Sequence, residues 1–94
     1  MQEITREMSI SHAEFRRVLA LAFRQEFQPV GSGSVEFENS DGSIRLILGQ
    51  ETSRRMGSIT IAVTRLTLRF SGMRTERMQD FLVRFDRSFQ RGGG

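Results

Sequence analysis

The sequence predicts an α+β fold, a two-layer α/β sandwich with an antiparallel sheet of three or four strands and two helices on one face. The expected element order is α-β-β-β(-β)-α. Two observations lead to this prediction. Apolar residues recur at helical spacing in residues 15–23 and 78–89, and they alternate with polar residues in much of 35–70. Two layers allow each helix stripe and the apolar face of the sheet to be buried together.

The first helix has a well-marked start in the segment ISHAEF. Ser11 stands at the N-cap position with Glu14 three residues later, which is the spacing of a capping box. Ile10 and Phe15 occupy the two positions of a hydrophobic staple. Pro29 is expected to end the segment. The apolar stripe of this helix consists of Phe15, Val18, Leu19, Ala22 and Phe23.

A hairpin is predicted around the dipeptide Asp41-Gly42, a strong two-residue turn signal between two strand-like segments. The turn sets a register in which Ser40 is opposite Ser43. The further pairs in this register are Phe37 with Leu46, Val35 with Leu48, and Glu38 with Arg45. The last pair joins opposite charges on the face away from the apolar residues, which favours the register.

Residues 58–70 allow two interpretations. Apolar residues occupy odd positions from Ile59 to Val63 and even positions from Leu66 to Phe70. We favour one long bent strand; the alternative is a hairpin turning at Thr64-Arg65, where a β-branched residue suits a primed turn poorly. Both alternatives place all six apolar residues on one face.

A second helix follows the break at Ser71-Gly72, with an apolar stripe of Met78, Phe81, Leu82, Phe85 and Phe89. The 94 residues are expected to form a single domain. Residues 1–9 are predicted to be a loose N-terminal arm and residues 91–94 a flexible C-terminal tail. Gly92 is the expected helix stop.

Composition excludes several kinds of chemistry. The chain has no cysteine, and all 14 of its basic residues are arginine, so thiolate metal sites, thiol nucleophiles and lysine Schiff bases are ruled out. His12 is the only histidine and is interpreted as a solvated surface residue. We expect no catalytic residues, no metal, no cofactor and no enzymatic activity. No stretch is long and apolar enough for a membrane span and no secretory signal is evident, so we expect a cytoplasmic protein.

Arginine clusters are the one positive functional signal. Residues 1–42 hold four arginines and seven acidic residues, whereas residues 43–94 hold ten arginines and four acidic residues. Arg54 and Arg55 lie in ETSRRMGS, residues 51–58, which is predicted to be a loop. Arg45, Arg65 and Arg69 are predicted to lie on the sheet face away from the helices. These five arginines are the candidate residues for binding an anion or a nucleic acid. The exclusive use of arginine is interpreted mainly as a codon bias of the source genome.

The function predicted from these observations is that of a small non-catalytic module that binds another protein or a second copy of itself. The alternative is an arginine-mediated nucleic-acid-binding module with little sequence specificity. The predicted outer face carries no aromatic residue for stacking bases, so such binding would be electrostatic.

The final dipeptide Gly93-Gly94, with Arg91 shortly before it, resembles the Gly-Gly terminus of ubiquitin-like sulfur carriers and modifiers, in which the terminal carboxylate is activated. The resemblance covers only these last residues. That family enters its tail from a strand, whereas a helix is predicted here. The activity is therefore not carried over.

Overall fold

The computed structural model describes residues 1–92 and contains a five-stranded antiparallel sheet and two helices. The strand order is β1-β5-β4-β3-β2. In chain order the elements are β1 Gln2–Met8, α1 His12–Phe23, a 3-10 turn Arg24–Glu26, β2 Phe27–Pro29, β3 Glu36–Asn39, β4 Ile44–Met56, β5 Ile59–Phe70 and α2 Thr75–Gly92. The α+β class is confirmed, but the predicted three or four strands are wrong because β1 and β2 were not foreseen.

Both helices pack on the same face of the sheet. One hydrophobic cluster joins the apolar stripes of α1 and α2 to alternate residues of β3, β4 and β5. Phenylalanine rings connect the layers: Phe15 of α1 stacks on Phe89 of α2 with centroids 4.8 Å apart and contacts Phe37 of β3 at 6.3 Å. Phe70 of β5 meets Phe81 of α2 edge to face at 6.0 Å. The helical and strand periodicities therefore identified most of the core.

The start of α1 follows the predicted capping. The Ser11 hydroxyl accepts a hydrogen bond from the Glu14 backbone N–H at 3.0 Å. The staple residues Ile10 and Phe15 are both buried. The Glu14 carboxylate is paired with the Arg17 guanidinium, and this hydrogen bond lowers the pKa of Glu14. The reciprocal half of a capping box is thus replaced by an ion pair along the helix.

The β3–β4 hairpin has the predicted register. Phe37 is opposite Leu46 and Glu38 is opposite Arg45, and the Leu48 N–H donates to the Val35 carbonyl at 2.7 Å. The connection is longer than the predicted two residues, because β3 ends at Asn39 and β4 begins at Ile44. Within it, the Gly42 N–H donates to the Asn39 carbonyl at 3.0 Å. Gly42 has a φ of +71°, which explains why glycine is needed there.

The predicted loose arm at residues 1–9 is wrong. Residues Gln2–Met8 form β1, which pairs with β5 from Thr64 to Phe70. Ile4 and Met8 pack against the core, while Arg6 lies between them on the same face and pairs with Asp86 of α2. The charged residue interrupts the apolar alternation, so β1 does not resemble a strand in the sequence. An inward-pointing charge is also a device that protects an edge strand from further pairing.

The short edge strand β2 follows directly after α1. Helix α1 ends at Phe23, well before Pro29, and the 3-10 turn leads into Phe27–Pro29. The Phe27 ring is buried and contacts Phe23 at 5.7 Å and Phe81 at 5.9 Å. Pro29 is tolerated because β2 lies at the edge of the sheet.

Residues Ile59–Phe70 form one strand, so the favoured interpretation is confirmed, but the register change lies in β4. Gly49 and Gln50 of β4 together oppose Arg65 between the pairs Leu48–Leu66 and Glu51–Thr64, which is the pattern of a β-bulge. Because β5 itself alternates without interruption, its odd-numbered residues face away from the helices. The prediction that all six apolar residues share one face is wrong.

Helix α2 extends to Gly92, so residues 91 and 92 belong to the helix and not to the predicted flexible tail. Gly93 and Gly94, which carry the likeness to Gly-Gly termini, lie outside the described residues. Neither α1 nor α2 is long and apolar enough to cross a membrane within residues 1–92.

Candidate functional site

The outer face of the sheet, defined here as the face away from the helices, carries ordered rows of charge. Strand register places Glu3, Arg69, Arg45 and Glu38 side by side across β1, β5, β4 and β3. The two arginines are directly opposite each other on the central strands, and each has a glutamate on its outer side. The remaining charged residues of this face are Glu7, Glu36, Arg54 and Arg65.

Three of the five candidate arginines are held by ion pairs on this face. Arg45 donates from Nη2 to Glu38 Oε2 at 2.8 Å, and this hydrogen bond raises its pKa. Arg69 Nε lies 2.9 Å from Glu3 Oε2, and Arg54 Nη2 lies 2.8 Å from Glu7 Oε1. All these side chains are partly exposed, so solvent weakens each pair and its contribution to stability is small.

The outer face is balanced in charge, with four arginines against four glutamates. Arg65 has no ion pair within residues 1–92, and its side chain is exposed. The excess positive charge predicted for the C-terminal half is therefore neutralised on this face by glutamates from β1 and β3. A polyanion that approached the face would have to displace these partners.

The predicted loop at residues 51–58 is a strand and a turn. Residues 51–56 are the second half of β4, and Gly57, with a φ of +63°, begins a two-residue connection to β5. Along β4, β3 pairs only with residues 45–47, through Glu36–Glu38, and β1 stops opposite Thr64 of β5. Residues 51–63 therefore form a two-stranded extension beyond the rest of the sheet, which we name the projecting hairpin.

Alternation along the projecting hairpin separates its two candidate arginines. Arg54 is opposite Ile61 and lies on the outer face, whereas Arg55 is opposite Thr60 and lies on the other face. The structure thus brings Arg45, Arg54, Arg65 and Arg69 to one surface and leaves Arg55 apart from them. The sequence prediction grouped Arg54 with Arg55 because it assigned them to a loop, where neighbours can converge.

The outer face of the projecting hairpin is apolar near its tip. Met56 and Ile59 are a cross-strand pair with 59% and 63% of their surfaces exposed. Ile61 is half-buried, and Val63 is buried but lies outside the hydrophobic cluster that joins the helices to the sheet. Aliphatic residues that the sequence analysis assigned to the core are instead presented on an extension of the sheet.

The base of the projecting hairpin is fastened to the start of α1. His12 donates from Nε2 to the Gly49 carbonyl at 2.7 Å, and its backbone N–H donates to Glu51 Oε1 at 2.7 Å. The buried Thr64 hydroxyl donates to the Ile10 carbonyl at 2.7 Å. His12 is therefore a half-buried structural contact at the bulge and not the freely solvated residue that the sequence suggested. No sequence signal revealed this, because residues 12 and 49 meet only through the tertiary fold.

Two arginines of α2, Arg77 and Arg84, have partners outside their own helix. Arg84 donates to both oxygens of Glu26 at 3.0 and 2.8 Å and lies over the Phe23 ring, 4.4 Å from its centroid. Arg77 lies 3.6 Å from Asp41 in the β3–β4 connection. These contacts tie α2 to the neighbouring elements.

Two surface grooves flank α2. One of about 440 Å³ lies between β1 and the C-terminal half of α2 and includes the Arg6–Asp86 pair in its lining. The other, of about 250 Å³, lies beside Phe81 and Arg84. Within the described part of the chain, no group of three or more His, Cys, Asp or Glu residues is arranged to hold a metal ion.

Comparison of this chain with protein-family models, with curated proteins and with solved structures gave no match.

Proposed function

We propose that this chain is a small protein-interaction module without catalytic activity, and that the projecting hairpin is its binding element. The observation that carries the proposal is the exposed pair Met56 and Ile59, which lies on an extension that the rest of the sheet does not cover. Adjacent exposed aliphatic side chains are typical of surfaces that bind other proteins.

The backbone of the projecting hairpin supports the same proposal. Both of its sides have backbone groups with no strand beside them among the described residues. A partner could therefore bind by adding a strand while its side chains contact Ile59 and Ile61. The bulge at Gly49 and the His12 contacts hold the base of the hairpin in place, which lowers the entropy lost on binding.

Arginine-mediated nucleic-acid binding is less well supported, since three of the four arginines on the outer face are paired with glutamates. Charge neutralisation of phosphates needs arginines that are not already paired. Only Arg55 and Arg65 among the five candidates have no ion pair within residues 1–92.

Affinity capture from native lysate with quantitative detection tests the proposal. Ile59→Thr removes aliphatic surface from the hairpin but keeps a β-branched residue suited to a strand. The matched control is Val83→Thr, which changes an apolar residue that is 56% exposed on α2. We expect the Ile59→Thr variant to lose captured protein at least about tenfold, a difference of about 1.4 kcal/mol, while Val83→Thr retains it.

Nuclease treatment of the same lysate separates the two functions. Captured proteins that persist after treatment and depend on Ile59 support the interaction module. Loss of all captured material after treatment, with equal binding by the Ile59→Thr variant, would support the nucleic-acid alternative and reject the proposal. Circular dichroism spectra confirm that each variant is folded.

A further inference from the structure

Four stretches of strand edge have no strand beside them in the part of the chain that the structure describes. Two are the outer strands of the sheet, β1 and β2, and two are the sides of the projecting hairpin, residues 51–56 and 59–63. An unpaired edge presents backbone N–H and C=O groups to any other strand. Charged side chains, proline and short length discourage such pairing.

Three of the four edges carry these protective features. β2 has three residues and ends in Pro29. The charged residues on two others are Glu3, Arg6 and Glu7 on β1 and Glu51, Arg54 and Arg55 on β4. If β1 paired with its own copy about Thr5, Glu3 would be directly opposite Glu7, and like charges opposite each other are destabilising.

The fourth edge has none of these features. Residues 59–63, ITIAV, contain no charge, no proline and no glycine, and four of the five are β-branched. Such residues favour extended pairing. Ile59 and Ile61 point to the outer face, where Ile59 is 63% exposed.

We propose that the partner of the projecting hairpin is a second copy of this chain. The two copies pair antiparallel along residues 59–63, about a twofold axis at Ile61. The inference rests on the proposed function, because it names the partner of the same hairpin. In this register Ile59 of each copy is opposite Val63 of the other, Thr60 is opposite Ala62, and Ile61 is opposite its own counterpart.

The pairing brings together residues of the same character. A twofold axis perpendicular to the sheet keeps outer faces together, so the outer-face residues Ile59, Ile61 and Val63 of both copies become neighbours. No charged side chain is placed opposite another across the axis. Both copies contribute the same surface, which is the isologous geometry of most homodimers.

The second copy would also cover the part of β5 that β1 leaves unpaired. β1 covers β5 from Phe70 to Thr64 and ends at Met8, and the copy's strand would cover β5 from residue 63 to residue 59. β5 would then be paired on both sides along its whole length. Because the paired strands are antiparallel, the two sheet-and-helix bodies lie at opposite ends of the joined hairpins.

Two charge substitutions distinguish this edge from the other side of the hairpin. Ile61→Glu is opposite Arg54 within its own copy, which preserves the hairpin, but it places two glutamates against each other on the axis. Ser53→Glu is the matched control, since Ser53 is the central position of the β4 edge. If two copies paired instead along their β4 edges about Ser53, Glu51 would be opposite Arg55 of the other copy.

Sedimentation velocity from micromolar to millimolar concentration measures the effect. Five residue pairs make an interface below the roughly 1,200 Å² of standard complexes, so we expect a dissociation constant in the micromolar range or weaker. The wild-type protein and Ser53→Glu should convert to dimers as concentration rises, whereas Ile61→Glu should bind at least about tenfold more weakly.

A cysteine on the axis gives a positive readout, because the chain has no natural cysteine. With oxidised glutathione as the oxidant, the variant Ile61→Cys should form a disulfide-linked dimer, since residues that face each other across antiparallel strands have suitably spaced Cα atoms. Ser53→Cys should not form a disulfide-linked dimer under the same conditions.

The outcomes separate this inference from the proposed function. A wild-type protein that stays monomeric at every concentration overturns the dimer, as does a dimer that Ser53→Glu abolishes and Ile61→Glu does not. In either case, capture that depends on Ile59 in lysate would leave the interaction module intact. If the protein neither dimerises nor captures protein in a manner that depends on Ile59, both proposals are rejected.

Discussion

Gly49 lies where β4 changes register against β5, and its backbone approaches the facing strand closely. A Cβ atom at this position would be 2.9 Å from the carbonyl oxygen of Arg65, which is closer than real Cβ contacts allow. The bulge redirects β4 at the base of the projecting hairpin. The absence of a side chain at Gly49 therefore permits the bulge at the base of the projecting hairpin.

We expect Gly49→Ala to destabilise the protein by about 1–3 kcal/mol, since the bulge has to shift to make room. Chemical denaturation measures this free energy of unfolding. Gly33→Ala is the matched control, because its Cβ would have no neighbour closer than Val35 Cγ2 at 3.6 Å, and it should change stability by less than about 0.5 kcal/mol. Equal effects of the two substitutions would contradict the role assigned to the close approach.

Asp41 determines a pH dependence in the β3–β4 connection. Its Oδ1 accepts hydrogen bonds from the Ser43 hydroxyl at 2.6 Å and the Ser43 backbone N–H at 3.0 Å. These hydrogen bonds lower the pKa of Asp41 in the folded protein. Because its pKa is lower in the folded protein, Asp41 binds a proton more readily in the unfolded chain. The stabilisation is therefore fully present above the pKa of the unfolded state and is lost as the pH falls through the pKa of the folded state.

The urea midpoint of the wild-type protein should decline as the pH falls below about 4, the ordinary pKa of aspartate. The variant Asp41→Asn should decline less steeply, because it has no proton to take up at this position. Asp80→Asn serves as the control, since the Asp80 carboxylate has no ion pair within residues 1–92. Parallel curves for the wild-type protein and Asp41→Asn would show that Asp41 does not contribute.

Among the elements, α1 and α2 are joined at one end by Arg84. Its guanidinium forms a fork with Glu26 and lies 4.4 Å from the centre of the Phe23 ring. The side chain is 48% exposed, so solvent weakens the ionic part of the contact. A lysine could place its ammonium over the Phe23 ring, but it could not also form the two-pronged contact with Glu26.

Arg84→Lys should destabilise the protein by about 0.5–1 kcal/mol through loss of the fork and weakening of the contact with the Phe23 ring. Arg87→Lys is the control, because Arg87 is exposed on α2 and forms no ion pair among the described residues. Thermal and urea unfolding report both changes. An Arg84→Lys variant as stable as Arg87→Lys would mean that charge alone accounts for the contact.

The elements differ in how clearly their sequences predicted them. Capping at Ser11 and the turn near Gly42 are local signals, and they gave the start of α1 and the β3–β4 register correctly. β1 was missed because Arg6 interrupts its apolar pattern and finds its partner Asp86 80 residues away. The sequence showed that the apolar positions of β5 change from odd to even, but the bulge lies in β4, the strand paired with it.

At the scale of the whole molecule, stability should be unevenly distributed. Residues 51–60 are exposed, whereas β4 and β5 nearer the helices contribute most of the sheet's core residues. The molecule measures 44 Å along its longest axis and 23 Å along its shortest. Regions with few buried apolar contacts open locally at low free-energy cost.

Amide hydrogen exchange of the dilute protein should show this gradient. We expect faster exchange in residues 51–56 and 59–63 than in residues 44–48 and 66–70. Raising the protein concentration should slow exchange in residues 59–63 if a second copy pairs there, and should leave residues 51–56 little changed. Uniform protection across β4 in the dilute protein would contradict the gradient.

The sequence by itself determined the α+β class, both helix stripes, the cap at Ser11 and the register of Phe37 against Leu46. Each of these depends on residues that are near in the chain, so spacing and turn chemistry suffice to identify them. Only the tertiary structure decided that β1 joins β5, that Arg54 and Arg69 pair with glutamates of β1, and that Ile59 lies outside the core. These features depend on contacts between distant residues and on a bulge at Gly49 that changes the face of the β4 residues after it, which one-dimensional periodicity does not record.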